Sequence, residues 1–249
     1  MSQIRSLDDI KHAYYINLEH RTDRKQHVEE QLSTLSIKAD RFNAIKMENG
    51  AIGCSMSHLK LLQTALANNY DHILIVEDDI TFLEPDTFKT QFNKFLELHG
   101  NDWDVILFAG NNMPPYTIPD DTCIKVSRCQ TTTGYLVNGH FIKALATNVK
   151  NGLTHLLSKP SESKQFAIDK FWFVLQEASR WFLITPPTVV QRPDYSDIEK
   201  RDTDYTKSMK DIDKKEMFAA IREMRQKEAL KTALNSIQAT NKNPFQSMF

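Results

Sequence analysis

The stretch His72-Ile73-Leu74-Ile75-Val76-Glu77-Asp78-Asp79-Ile80 decides how this chain is read. Four apolar residues, three of them β-branched, run together and meet three acids at once. A short continuous apolar run of this kind is a strand buried on both faces, as in parallel sheets. Burying an unpaired carboxylate is costly, so the acids must meet solvent, a cation or hydrogen-bond donors. In open α/β sheets ligands bind at the carboxyl ends of the strands. Three acids at such an end suggest a divalent cation carrying a phosphorylated ligand; a solvated strand-to-turn junction or a helix cap is the alternative. In Glu77-x-Asp79, strand alternation puts both carboxylates on one side, where they suit Mn²⁺ or Mg²⁺ bridging two phosphates. Asp78 would point the other way, to the scaffold or a sugar.

Outward from this strand, the order of elements predicts a parallel α/β core. Ala13–Leu18, Ala39–Ile45 and Asp104–Ala109 read as further strands. Helices are expected from Thr22 or Asp23 to Leu35, from Ser55 or Ser57 to Asn68, over Phe82–Leu98, over His140–Lys150 and over Ala167–Ala178. Ile124–Val126, Gly134–Val137 and Trp181–Ile184 are short strand candidates. Met47–Gly53 and Asn111–Pro119 read as loops, the first with two glycines and the second with three prolines. The domain is expected to span 1–205. Residues 206–249 change to a charged, helix-favouring extension, packed on the core or against a partner, with its last ten residues frayed.

Composition narrows the function classes. The 249 residues are 41% hydrophobic, enough for a sizeable core, and the net charge of -1 gives no electrostatic case for nucleic acid. Three irregularly spaced cysteines make no disulfide framework and read as reduced thiols. No stretch approaches the ~20 apolar residues of a membrane span, and Met1–Lys11 lacks a signal-peptide core. A cytoplasmic protein, at most peripheral to a membrane, is expected.

Two more segments carry chemistry. In Ile16-Asn17-Leu18-Glu19-His20-Arg21-Thr22-Asp23-Arg24, a strand exits into a loop bearing Asn17, Arg21 and Arg24 before a helix start, a setting that binds anions. Surface pairing of the arginines with Asp23 and Glu29 is the alternative. In Gly50-Ala51-Ile52-Gly53-Cys54-Ser55-Met56-Ser57-His58, glycines lead towards a helix, so backbone N–H groups could approach a phosphate or sugar. A tight turn with a serine cap would read the same way.

Together, Ile-Asn-Leu-x-x-Arg-x-Asp-Arg, Gly-x-Ile-Gly-Cys-x-x-Ser-His and Val-Glu-Asp-Asp resemble glycosyltransferase family 25, which includes lipooligosaccharide and procollagen galactosyltransferases. Asp102-Trp103-Asp104, Thr132-Thr133-Gly134-Tyr135-Leu136-Val137, Ile168-Asp169-Lys170-Phe171-Trp172 and Tyr195-Ser196-Asp197-Ile198-Glu199 extend the resemblance to roughly residues 13–205. It implies a GT-A type, Rossmann-like α/β domain; the C-terminal helical extension after 206 lies outside it. It also implies a UDP-sugar donor, Mn²⁺ or Mg²⁺, and inversion at the anomeric carbon. The acceptor would be a glycan, a lipid-linked glycan or a collagen-like protein.

On that resemblance Glu77, Asp79 and the late acid Asp197 would hold the metal, with Gln191, Arg192 and Ser196 assisting. Asn17, Arg21, Arg24 and Asp78 would bind the donor, with Asn43 and Ala44 beside the base. Gly53, Ser57 and His58 would approach the sugar or phosphates, and Thr133 and Tyr135 the sugar. Asp169, set among Phe166, Ala167, Ile168, Phe171 and Trp172, is the candidate base, since apolar surroundings raise a carboxyl pKa; a helix N-cap is its other reading. A metal-dependent nucleotidyltransferase or phosphohydrolase, or a non-catalytic carbohydrate- or partner-binding protein, are the rival functions.

Overall fold

A computed structural model describes residues 4–241, with side chains up to Ser236. The elements in order are β1 (Ala13–Asn17), α1 (Thr22–Thr34), β2 (Asp40–Asn43), α2 (Gly50–Ala67), β3 (His72–Glu77), β4 (Ile80–Phe82), α3 (Pro85–His99), β5 (Val105–Leu107), β6 (Asn111–Thr117), β7 (Cys123–Gln130), β8 (Gly134–Asn138), α4 (Ile142–Ser158), α5 (Ser163–Phe166), α6 (Ile168–Phe171), α7 (Phe173–Ala178), β9 (Trp181–Ile184), β10 (Val189–Gln191), β11 (Asp194–Ser196), β12 (Arg201–Thr203), α8 (Thr206–Lys210) and α9 (Lys215–Asn241). Contacts divide the chain into two units, 1–212 and 213–249. The first carries the sheet and α1 to α8; in the second, α9 is one continuous helix. Residues 242–249, where fraying is expected, lie outside the described part.

Eight strands form one sheet in the order β2-β1-β3-β8-β5-β9-β7-β6. β1 pairs in parallel with β2 and β3, and β5 with β9. β8 runs antiparallel between β3 and β5, and β7 between β9 and β6, so two reversed strands interrupt the expected parallel order. Alternation along β3 supplies both faces. Leu74 and Val76 join a core with Val28 and Leu32 of α1 and Phe88, Phe92 and Phe95 of α3. Ile73 and Ile75 face Leu61, Leu62 and Ala65 of α2 and Leu145 and Val149 of α4. At about 25 cal/mol per Å² of apolar surface, this two-sided burial is the main stabilisation of the sheet. The result is an α/β fold, one mixed sheet with helices packed on both faces.

Three local readings are corrected. The helix α2 starts at Gly50, because the Asn49 side chain accepts from the N–H groups of Ala51 and Ile52 and caps it there. Gly50 and Gly53 are therefore in a helix and not in a loop. Residues Asn111–Thr117 form a strand despite Pro114 and Pro115, since β6 is the sheet edge and its register shifts between Met113 and Tyr116. The helix expected over Ala167–Ala178 is split into α6 and α7. Among the described residues no helix is long and apolar enough to cross a membrane.

Candidate active site

The carboxyl ends of β1 and β3, the start of α2, the β7–β8 loop, α5–α6 and the β11–β12 hairpin enclose a cleft of about 640 Å³. That volume lies in the range of small-molecule sites. The cleft has an acidic floor at the end of β3. Ile73 and Ile75 face α2, and Glu77 continues that side. Its Oε1 accepts from Thr132 Oγ1 at 2.8 Å, lies 3.3 Å from His58 Nε2, and accepts from Cys54 Sγ at 3.6 Å. Burial works to raise the Glu77 pKa, but these contacts win and hold it below the usual carboxylate range. His58 is fully buried, and its Nδ1 lies 2.7 Å from the Tyr135 hydroxyl. Burial and the charges of Glu77 and Asp169 push the Cys54 thiol well up.

Strand β3 ends at Glu77, and Asp78 and Asp79 form a turn into β4. The alternation that would have put Glu77 and Asp79 on one side therefore stops short of Asp79. Asp78 faces the scaffold on the α1 side, accepting from Asn17 Nδ2 at 2.8 Å and Arg24 Nη1 at 3.0 Å. Asp79 Oδ2 is 3.5 Å from both Arg24 Nη1 and Gln191 Nε2. Its other oxygen, Oδ1, is buried without a hydrogen-bond partner. Burial first, then the charge of Glu77, pushes the Asp79 carboxyl up to about 8. A cation would relieve both the orphaned oxygen and the clustered charge, so Asp79 suits a divalent metal.

The hairpin β11–β12 closes the α1 side. Arg21 donates to Asp197 and Asp194, each at 2.7 Å, and Arg24 to Asp194 at 3.2 Å. At the hairpin tip Ile198 reaches the start of α2, where a Cβ on Gly50 would lie 2.9 Å from its Cα. Asp197 is thus held by Arg21 and does not join Glu77 and Asp79 in a compact set. Among the described residues, the groups of three whose ligand atoms lie within 4.8 Å are Cys54–His58–Glu77 and His99–Asp120–Cys123.

Asp169, also in the cleft lining, accepts from the N–H of Thr131 at 3.2 Å, with Lys170 Nζ 3.8 Å away. Ala167 occupies the N-cap of α6, so Asp169 is not the cap. Burial raises its pKa, with a smaller push from Glu77 against Lys170 and Thr131.

Of the residues singled out from sequence, Arg24, Ala44, Ser57, His58, Glu77, Asp78, Asp79, Asp169, Ser196 and Asp197 line the cleft. Asn17, Arg21, Asn43, Gly53, Thr133 and Tyr135 do not; they stand behind its walls. Asn17 and Tyr135 are buried and hold Asp78 and His58. Asn43 is exposed and accepts from Arg41. Gly53 sits against backbone, because a Cβ there would lie 2.3 Å from the Ile45 carbonyl oxygen. Thr132, Thr131 and Lys170 line the cleft and were not singled out. Thr132 and Lys170 each adjoin a named residue, and only the fold tells which neighbour turns inward.

Residues 46–171, half of the chain, match the profile of Glycosyltransferase family 25 (LPS biosynthesis protein). A glycosyltransferase 25 family member of Aedes aegypti is 25% identical over 163 residues, covering 52% of this chain and 26% of that protein. A putative glycosyltransferase of Haemophilus influenzae is 32% identical over 92 residues, covering 28% of this chain and 33% of that protein. The chain thus spans between a quarter and a third of the length of these relatives. Among solved structures, a glycosyltransferase involved in the glycosylation of the major capsid of PBCV-1 aligns with TM-score 0.40 and 13% identity, over 80% of this chain and 88% of that one. A mannose-1-phosphate geranyltransferase from Thermus thermophilus aligns with TM-score 0.37 and 10% identity, over 69% and 58%.

Proposed function

The chain belongs to glycosyltransferase family 25, and from that premise we propose that it transfers a hexosyl group from a UDP-sugar to a glycan or protein-linked hydroxyl, with inversion. The acceptor class covers free or lipid-linked glycans and a collagen-like protein. The observation that carries the reading is the presence, in the lining of one cleft, of the acids that tip β3 together with Asp169.

In this reading Asp79 would hold a divalent cation through its partnerless oxygen, near the charge of Glu77. Bound Mn²⁺ or Mg²⁺ would neutralise the departing diphosphate. Arg24 and Arg192, both lining the cleft, add positive charge there. Thr132, Cys54 and His58 hold Glu77 in place. Asp169 takes the proton of the attacking acceptor hydroxyl, and its raised pKa suits that task. Inversion requires the base on the face opposite the leaving group, and in this reading Asp169 would take that place.

The test is product analysis with UDP-sugars, Mn²⁺ and glycan acceptors. Release of UDP with a glycosylated product supports the reading. Release of pyrophosphate, or of UMP, would instead make this chain a nucleotidyltransferase or a phosphohydrolase.

A further inference from the structure

One set of side chains in the cleft has a different chemistry from the oxygen ligands that Mn²⁺ and Mg²⁺ prefer. Cys54 and His58 stand four residues apart on α2, so both project from one face of the helix. This i, i+4 spacing is the one by which a single helix presents two ligands to a metal. Glu77 meets them from the end of β3. The three ligand atoms lie within 4.8 Å of one another.

The two separations from Glu77 match those of one shared ion. Zinc bonds of about 2.1 Å to nitrogen and oxygen and about 2.3 Å to sulfur, at tetrahedral angles, separate N from O by about 3.4 Å and S from O by about 3.6 Å. Here His58 Nε2 is 3.3 Å and Cys54 Sγ 3.6 Å from Glu77 Oε1. The far nitrogen of His58 is fixed by the Tyr135 hydroxyl at 2.7 Å, the outer contact that orients a ligating imidazole. All three residues line the cleft, which leaves a fourth position facing it.

The second cluster of this kind differs. His99 Nε2 approaches Asp120 Oδ2 to 2.7 Å, closer than two ligands of one tetrahedral ion. That arrangement is a satisfied ion pair.

We propose that Cys54, His58 and Glu77 form a three-ligand site for a borderline-soft divalent cation of the Zn²⁺ class, with its open position facing the cleft. Its nitrogen and sulfur ligands distinguish it from the all-oxygen position at Asp79, which Glu77 adjoins. On binding, the Cys54 thiol loses one proton to solvent, and His58 ligates through Nε2 while its Nδ1–H donates to Tyr135.

The test uses the full chain, stripped of metal and without an affinity tag, titrated with Co²⁺ as the spectroscopic probe and with Zn²⁺ by calorimetry. Expected are one Zn²⁺ per chain, thiolate-to-Co²⁺ charge-transfer absorption in the near ultraviolet, and release of about one proton on Zn²⁺ binding. Cys54→Ser should abolish the charge-transfer band and weaken Zn²⁺ at least 100-fold; Asp79→Asn and Cys123→Ser should leave both in place. The proposal is overturned by absence of the band in the folded wild-type chain, by its survival in Cys54→Ser, or by its loss in Cys123→Ser alone. Because the readout is binding, it stands whether or not the chain proves to be a transferase.

Discussion

The Thr132 hydroxyl donates to Glu77 Oε1 at 2.8 Å, tying the β7–β8 loop to the acid at the end of β3. One wall of the cleft thereby sets the rotamer of a side chain on its floor. Thr132→Val keeps the shape and removes the donor. The net worth of such a bond is about 1.5–3 kcal/mol when the acceptor is charged. Thermal unfolding should show a loss in that range, and Thr132→Ser should restore most of it. An unchanged Thr132→Val melting temperature would mean that the contact does not constrain Glu77.

Asp79 makes the folded chain sensitive to pH. With its carboxyl pushed up to about 8, folded Asp79 keeps a proton that the unfolded chain releases near the ordinary value of 3.8. Between those values the folded state binds more protons, so this group's contribution to stability falls as pH rises. Asp79→Asn removes the effect. The variant should melt above wild type at pH 8, and the difference should vanish near pH 4. Melting curves across pH for the two proteins check this; a constant difference would contradict it.

Arg24 sits between acids that would otherwise be buried together. It reaches Asp78, Asp79 and Asp194 at 3.0, 3.5 and 3.2 Å. Removing one partner of a buried ion pair costs about 3–5 kcal/mol because the other is stranded. Arg24→Ala should lose stability on that scale in denaturant titrations. Asp78→Asn in the Arg24→Ala background should recover part of it.

Asp169→Asn separates base from scaffold. The carboxamide can still accept the Thr131 N–H, so folding and donor binding should persist. A general base is worth about 10²–10⁴ in rate, and kcat for glycosyl transfer should fall by that factor. Retention of full kcat would remove Asp169 from the mechanism.

What could be read from sequence follows from how local the cause is. Strands β3, β5 and β9 are short apolar runs whose burial on both faces is written in their composition, and all three lie where expected. The start of α2 was hidden because two glycines suggest a turn, while the cap at Asn49 and the close approach of Gly53 to Ile45 override them. The edge strand β6 was hidden by its prolines. In the cleft the acids of β3 and Asp169 were legible as charges beside apolar residues. Asn17 and Tyr135 were legible only as neighbours of a site, since facing it or bracing it depends on the pleat. The clamp of Arg21 on Asp194 and Asp197 spans more than 170 residues and exists only in the fold.

The most direct measurement of the central claim is a thermal-shift screen of UDP-sugars with and without Mn²⁺, on wild type and Asp79→Ala. A ligand of the native state stabilises it by RT ln(1 + [L]/Kd), about 2.7 kcal/mol at a hundredfold excess over Kd. The account predicts that one UDP-sugar raises the wild-type melting temperature only when Mn²⁺ is present, and that Asp79→Ala loses this response while remaining folded. A Mn²⁺-dependent UDP-sugar shift of equal size in Asp79→Ala would contradict it.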